Sequence, residues 1–405
     1  SKHPGGDLII RHFLYRDATE QFSRFHPKEV REKVLPYLQI GILEKKNSLK
    51  NQSPMIKEFR EIEKKLIEEG YFDTNYTFYI LETIKGISSL LIGIFLVIYG
   101  PKSWLNYISA AFFIGFCWHQ LAFVAHDTGH NGITHNLTFD NYFGIFLASC
   151  LSGLSIGWWK DSHNVHHVVT NDPVHDPDIQ HLPFFAVSEK FIEGVDSTYH
   201  KAEFKINSIN KFFVKIQNYI YYLVMFFARF NLYIQGIKFL IFNDRAKFRK
   251  TEIIAMLTFG YWFFLLISYI EDFNMKLIFV LLANGITFVL HVQITISHFA
   301  MNTDPVSESE DFVTHQLRTS MDVDCPVWLD WFHGGLQYQV VHHLFPRLPR
   351  HNLRKVRDLL LPFFAKWDLK YKCYDFTYGN KMVVKQLAAI AKKVVDCFNS
   401  NGKEK

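Results

Sequence analysis

The chain has 405 residues, 49% of them hydrophobic and 17% aromatic, with a formal net charge of +5. So mild a basic excess, with no basic stripe interleaved with aromatics, argues against a nucleic-acid partner and leaves the surplus Lys and Arg to face anionic lipid or an acidic protein. The five cysteines (Cys117, Cys150, Cys325, Cys373, Cys397) are widely spaced and form no CxxC, which excludes a disulfide framework and a zinc ribbon and favours a reducing compartment.

The N-terminal stretch "HPGGDLIIRHFLYRDATEQFSRFHP" combines a Gly-Gly turn, the triplet DAT, a Phe-rich helical pattern and a second histidine. In that combination it resembles the heme-binding half of cytochrome b5. The resemblance implies His3 and His26 as the two axial ligands of heme b, with Leu8, Ile9, Phe22 and Phe25 as apolar walls. The turn at Gly5 and Gly6 would let the backbone pass close to the porphyrin. Two axial histidines leave no open position, so the implied role is electron transfer. The strands that precede this turn in the family are missing, so residues 1–43 are read as a partial heme-binding domain in a chain that starts inside a longer protein.

Residues 44–75 read as a linker with an amphipathic helix. "MIKEFREIEKKLIEEGYF" puts Met55, Phe59, Ile62, Leu66 and Ile67 on one face and stops at Gly70. That face can lie on a membrane surface or on a neighbouring domain, or the helix can be a plain linker.

A mean hydropathy of +0.01 averages polar stretches with long apolar runs. Two such runs, about 80–100 and 104–125, are separated by "GPKS"; a second pair, about 253–270 and 277–297, is separated by "EDFNMK". Each approaches the roughly 20 residues that a helix needs to cross the hydrocarbon core. The short connectors predict two helical hairpins, and the positive-inside rule puts both termini and every histidine-rich stretch on the cytosolic side. Segments 142–158 and 214–242 are apolar but broken by Gly or by Arg229, Asn231 and Lys238, and are read as interfacial or partly embedded.

The 20 histidines are clustered. "HDTGH" gives His126 and His130 at i, i+4; "HNVHH" gives His163, His166 and His167 at i, i+3, i+4; "ITISH" ends the fourth apolar run with His298; "QVVHH" gives Gln339, His342 and His343 at i, i+3, i+4. Each cluster shares one helical face at the expected cytosolic boundary, so all can converge on one pocket. A lone boundary histidine is more often structural; three such clusters on one side of a membrane point to a site. Eight imidazoles exceed what one tetrahedral zinc takes. Neutral imidazole suits iron, and eight nitrogens with one amide oxygen fit two metals, unlike the Glu-rich soluble di-iron bundles. Asp127, Asp161, Asp172 and Asp176 are candidates to orient the rings. His119 and His291, each two turns before a box histidine, are candidates for that role or for lining the substrate path. Trp158, Trp159, Phe184, Phe185, Trp328 and Trp331 are candidate walls of an apolar tunnel, or members of an interfacial aromatic belt.

HPGG followed by HxxxH, HxxHH and QxxHH over four apolar spans resembles the cytochrome b5-fused front-end membrane desaturases. "QITISHFAMNT" and "LRTSMDVDCPVWLDWFHGGLQYQVVHHLFPRLPRHNLRKVR" look most like delta-8 sphingolipid desaturases of fungi. The implied fold is mainly α: a four-helix transmembrane bundle (residues 76–385) with a cytosolic di-iron cap, preceded by the partial heme domain and followed by a polar tail (386–405). The implied cofactors are two iron ions and heme b, with O2 as co-substrate. Electrons would come from NADH-cytochrome b5 reductase in the endoplasmic reticulum membrane, and the substrate would be the long-chain base of ceramide, desaturated to a trans delta-8 product. Competing readings are a front-end acyl (delta-5/delta-6 type) desaturase or a lipid hydroxylase on the same site, a membrane-anchored electron carrier, and a zinc-dependent membrane hydrolase.

Overall fold

The computed structural model describes residue 3 and residues 8–14, 16–26, 28–41, 53–307 and 310–401, without the side chains of 28, 29 and 399–401. The expected turn at Gly5 and Gly6 lies outside these residues. Four short helices, α1 (Leu8–His12), α2 (Thr19–Phe25), Lys28–Lys33 and Leu35–Leu38, precede α3 (Pro54–Glu68), which Ser53 caps by accepting a hydrogen bond from the Ile56 amide. Met55, Ile56, Phe59 and Leu66 of α3 are buried. They pack on a cluster containing Tyr338, Val341, Phe345 and Phe363, so the amphipathic helix covers the neighbouring cap. Ile67, expected on the same face, is 55% exposed; it lies a residue too far round.

Five helices are long and apolar enough to cross a membrane. The first two, α4 (Tyr76–Tyr99) and α5 (Trp104–Gly129), form a hairpin. In lipid, helices associate through close packing of small residues, and α4 buries Gly86, Ser89 and Gly93 against α5. A Cβ at Gly93 would come within 2.8 Å of the Ile114 side chain. The second hairpin joins α9 (Arg249–Ser268) to α10 (Phe273–Gly285), which continues after a short break as α11 (Phe288–Thr295). Lys102 and Glu271, one from each hairpin tip, form an ion pair, so the two tips lie on the same side. The histidine-bearing ends therefore share the opposite side.

Between the hairpins the chain dips inward. Helix α6 (Leu137–Gly144) runs into a π-helical turn (Ile145–Cys150), and α7 (Ile156–Val168) returns. Backbone unwound at this depth must be satisfied within the protein. Trp118 donates to the Leu151 carbonyl (2.9 Å), Trp262 to Cys150 (3.0 Å) and Arg229 to Ser152 (2.6 Å). Arg229 belongs to α8 (Gln217–Phe242), the fifth long apolar helix. Both ends of α8 meet the polar cap. Gln217 bonds the backbone of Ala186 and Leu387, and Arg245, just past the other end, pairs with Asp161 of α7 at 2.8 Å.

The cap is completed by an antiparallel pair, β1 (Val195–Ser197) with β2 (Ala202–Phe204), and by α12 (Phe312–Thr319). A parallel pair, β3 (Asp322–Asp324) with β4 (Cys373–Asp375), joins α13 (Gln339–Leu344), α14 (Leu353–Lys366) and α15 (Phe376–Asn401). The expected polar tail from residue 386 is instead the second half of α15. Its Leu387, Ile390 and Val394 recur at helical spacing and are buried against Val214 and Tyr221.

Candidate metal centre

Helix α5 ends in the site: His126 is in its last turn and His130 is its C-cap residue. Helix α7 approaches closely because residue 129 is glycine; a Cβ there would run into the Trp159 indole. Trp159 in turn stacks on His163 (4.3 Å) and lies edge-on to His126 and His130. From α13 comes His342, with its ring 4.5 Å from His126 and 4.8 Å from His130. Ligand atoms of His126, His130, His163 and His342 all lie within 4.8 Å of one another. A second group, His166, His298 and His343, meets the same criterion. His167 sits between the groups, 4.7 Å from the ring of His130 and 4.2 Å from that of His343.

The outer nitrogens explain how the rings are held. In five of the eight, Nδ1 faces a protein partner: His126 with Asp127 (3.2 Å), His163 with Asp178 (3.3 Å), His166 with Asp176 (2.8 Å), His298 with the Thr319 carbonyl (3.2 Å) and His343 with Gln316 Oε1 (3.0 Å). Such contacts fix ring orientation and tautomer and leave Nε2 for a metal. Nε2 of His126, His130, His342 and His343 is buried with no hydrogen bond to a described residue, while Nε2 of His167 lies 3.0 Å from that of His163. Leaving one buried polar atom unsatisfied costs about 1–3 kcal/mol, so four such nitrogens in the two groups fit a site built for ions. Burial, reinforced by the neighbouring imidazoles, drives His130, His167, His342 and His343 well below the ordinary imidazole range. These rings are neutral near pH 7, the form that ligates a metal.

Gln339 is buried at the start of α13, one turn before His342 and His343, and its side chain makes no hydrogen bond to a described residue. Of the proposed orienting acids, Asp127 and Asp176 do face box histidines. Asp161 instead pairs with Arg245 and Tyr199, and Asp172 accepts from the Val174 and His175 amides. His119 and His291 are core residues, bonded to Gln293 (3.1 Å) and the Met225 carbonyl (3.1 Å), with no hydrogen bond or ring contact to the eight. Of the aromatic candidates, Trp159 lines the site. Phe185 is buried beside Tyr221 and Phe299, while Phe184, Trp328 and Trp331 are exposed. Asp178 and Gln316 went unnoticed in the sequence. Asp178 carries a faint signal, an Asp-x-Asp ten residues after the HxxHH run, and Gln316 carries none.

At the N-terminus the rings of His3 and His26 face each other with centroids 5.8 Å apart. His26 Nδ1 is engaged by the Phe22 carbonyl (3.0 Å), which leaves Nε2 as the nitrogen that could reach a metal, and Phe22 stacks on the ring at 4.1 Å. This pairing fits axial ligation of a heme. Leu8, Ile9 and Phe25, expected as walls, pack against Val165, Val168 and Val169 of α7.

Residues 102–375 match the family model described as fatty acid desaturase. Relatives include a delta 8-(E)-sphingolipid desaturase of Komagataella phaffii, 46% identical over 353 residues (85% of this chain, 64% of the relative). One of the same name from Kluyveromyces lactis is 44% identical over 376 residues (88% and 63%). A delta(8)-fatty-acid desaturase of Helianthus annuus is 33% identical over 401 residues (98% and 86%). The chain thus spans just under two thirds of the length of the first two. With two groups of converging histidines, and with the match running from the tip of the first hairpin through the second hairpin and most of the cap, the chain belongs to the fatty acid desaturase family.

Proposed function

We propose that this chain is the membrane and metal-binding portion of an O2-dependent di-iron lipid desaturase. It introduces a trans delta-8 double bond into the long-chain base of ceramide. The observation that carries the reading is the pair of adjacent imidazole groups, His126/His130/His163/His342 and His166/His298/His343, with His167 between them. A pair of iron ions held there would supply the oxidising power to remove two hydrogens from neighbouring methylenes as O2 is reduced to two waters, two of the four electrons coming from the lipid. The protein's share is to hold the eight rings together, to aim them through Asp127, Asp176, Asp178, Gln316 and the Thr319 carbonyl, and to exclude water. Gln339, one turn before His342 and His343, would serve as an oxygen ligand or as a hydrogen-bond donor to metal-bound water. Positional selectivity follows from holding one methylene at the metals. The sphingoid substrate is supported by the names of the yeast-type relatives above.

The remaining two electrons arrive through a heme held by His3 and His26, reduced by NADH-cytochrome b5 reductase. Helices α4, α5, α9 and α10–α11 cross the endoplasmic reticulum membrane. Helix α8 does not, a reading supported by the anchoring of both its ends to the cap. The histidines and both termini then face the cytosol, in keeping with the basic segments on that side.

The test is expression of the full-length protein in a host lacking this unsaturation, with mass spectrometry of its lipids. A loss of two hydrogens in the long-chain base is expected. Unsaturation in the acyl chain would favour the acyl alternative, which the Helianthus relative's name keeps in view; gain of one oxygen would establish a hydroxylase. His167→Ala and His343→Ala should each abolish the product while membrane insertion persists.

A further inference from the structure

We propose that α2 is a latch that locks the heme-bearing segment onto the metal-site cap, with Arg24 as its bolt and Phe25 as its contact with His167. The inference rests on the electron-supply reading above. Arg24 is 4% exposed. Its guanidinium lies over three phenylalanines from three different elements: Phe59 of α3 (5.1 Å), Phe345 just after α13 (5.1 Å) and Phe312 of α12 (5.7 Å). It is ion-paired with Glu20 of its own helix (3.1 Å) and with Glu63 of α3, and Glu20 also accepts Arg60 of α3 at 2.6 Å. Four alternating charges therefore join α2 to α3, and the aromatic cage joins both to the segment that carries His342 and His343.

A buried cation is costly unless paired in a defined geometry, so this arrangement specifies one docked position. A flexible tether would have no use for it. The next residue shows what the position achieves. The Phe25 ring meets His167 edge-on at 6.2 Å, and with Leu8, Ile9 and Phe13 it packs on the valine face of α7. His26, the axial candidate, follows immediately. Phe25 thus brings the residue next to His26 in the chain against a box histidine. With heme held by His26 and iron held by the boxes, each electron delivered to the metal pair would leave ferrous heme ferric, and two such electrons would serve one double bond. Docking on this apolar seat would hold His26 and His167 at one fixed separation.

The experiment uses the full-length protein, loaded with heme and iron, in phosphatidylcholine nanodiscs. Arg24→Gln should raise backbone hydrogen exchange at residues 19–26 at least tenfold and slow heme reoxidation in a single turnover at least tenfold. The heme absorption spectrum and iron content should not change. Phe25→Leu keeps the apolar seat, so reoxidation should slow while exchange stays protected. Should Arg24→Gln fail to fold, Glu63→Gln, at a partly exposed partner, carries the same test at smaller amplitude. Unchanged exchange and reoxidation in the Arg24 or Glu63 variant would overturn the latch. A separate arm supplies electrons in trans from excess free cytochrome b5 and its reductase. The Arg24 variant should recover product there. Wild-type protein making no unsaturated lipid in that arm would defeat the desaturase reading, and hydrogen exchange alone would then decide whether the latch exists.

Discussion

Asp176 is the orienting residue whose removal should be most legible. Its carboxylate is fully buried; Oδ2 accepts from His166 Nδ1 (2.8 Å) and from the Asn171 amide (2.7 Å), and Oδ1 accepts from the Asp178 amide (2.8 Å). Asp176→Asn has two possible orientations. With the amide oxygen toward His166, the new NH2 faces the Asp178 N–H; with it reversed, the NH2 faces two N–H groups. The first is better and still leaves one buried donor unpaired, at about 1–3 kcal/mol, and it weakens two charge-assisted bonds by roughly 1 kcal/mol each. The total loss of stability is about 3–5 kcal/mol.

Only the bond to His166 bears on metal affinity, and at 1.4 kcal/mol per decade its weakening by roughly 1 kcal/mol translates into about fivefold weaker binding. His166 is also the box histidine with an upward-shifted pKa. Burial opposes its charge, but Asp176 and Asp178 outweigh burial. Removing the carboxylate should therefore lower proton affinity as well as metal affinity. Chelator competition measures the iron affinity, and the melting temperature of the metal-free protein reports the structural share. Iron affinity and melting temperature both within error of wild type would refute the account of Asp176 as the group that aims His166.

Three further outcomes are expected. Asp322 accepts from the Val340 amide (2.8 Å) and the Tyr371 hydroxyl (2.7 Å), and burial raises its pKa to about 7. Because the folded state then binds this proton more tightly than the unfolded chain, wild type should lose up to about 4 kcal/mol as pH rises from 4 to 7, and Asp322→Asn should flatten that slope in melting curves. Gly129→Ala should displace Trp159 and cut metal content and turnover severalfold. The double variant Gly129→Ala/Trp159→Phe should recover part of the loss, measured as a mutant cycle. Gln339→His should keep some activity and Gln339→Ala should not; a harmless alanine would remove Gln339 from the ligand set.

What was readable in the sequence and what was not separates along a physical line. The apolar runs announced the hairpins because lipid demands continuous hydrophobic helices of a set length, and their ends fell within a few residues of Tyr76–Tyr99 and Trp104–Gly129. The boxes were readable because ligands on one helical face must repeat at three and four residues. Partners drawn from other elements had no such signature. Gln316 reaches His343 from α12, and Trp159 covers Gly129 from the next helix, at positions that only the tertiary approach decides. The second half of α15 looked polar because its buried face, Leu387, Ile390 and Val394, is a narrow stripe among lysines. Helix α8 passes every test of length and apolarity for a span, and the anchoring of Gln217 and Arg245 is what supports the proposal that it stays on one side.

His119 and His291 show the limit of periodicity most clearly. Each lies two turns from a box histidine on the same face, which is why a role beside the metals was expected. The spacing correctly gave the face, but a face does not name its partner. Inside a bilayer the hydrophobic effect does not hold one helix against another, so packing and interhelical hydrogen bonds must set their register. His119 of α5 bonds Gln293 of α11 at 3.1 Å, and Gln293 continues to the Phe332 carbonyl (3.1 Å) and His333 (3.2 Å), in the short helix Asp330–His333 that precedes α13. The polar residues below the site thus tie together the three elements that deliver His126, His298 and His342. They act on the metal centre through helix position, and the same i, i+7 pattern that suggested ligation is what lets one helix carry both the ligand and its brace.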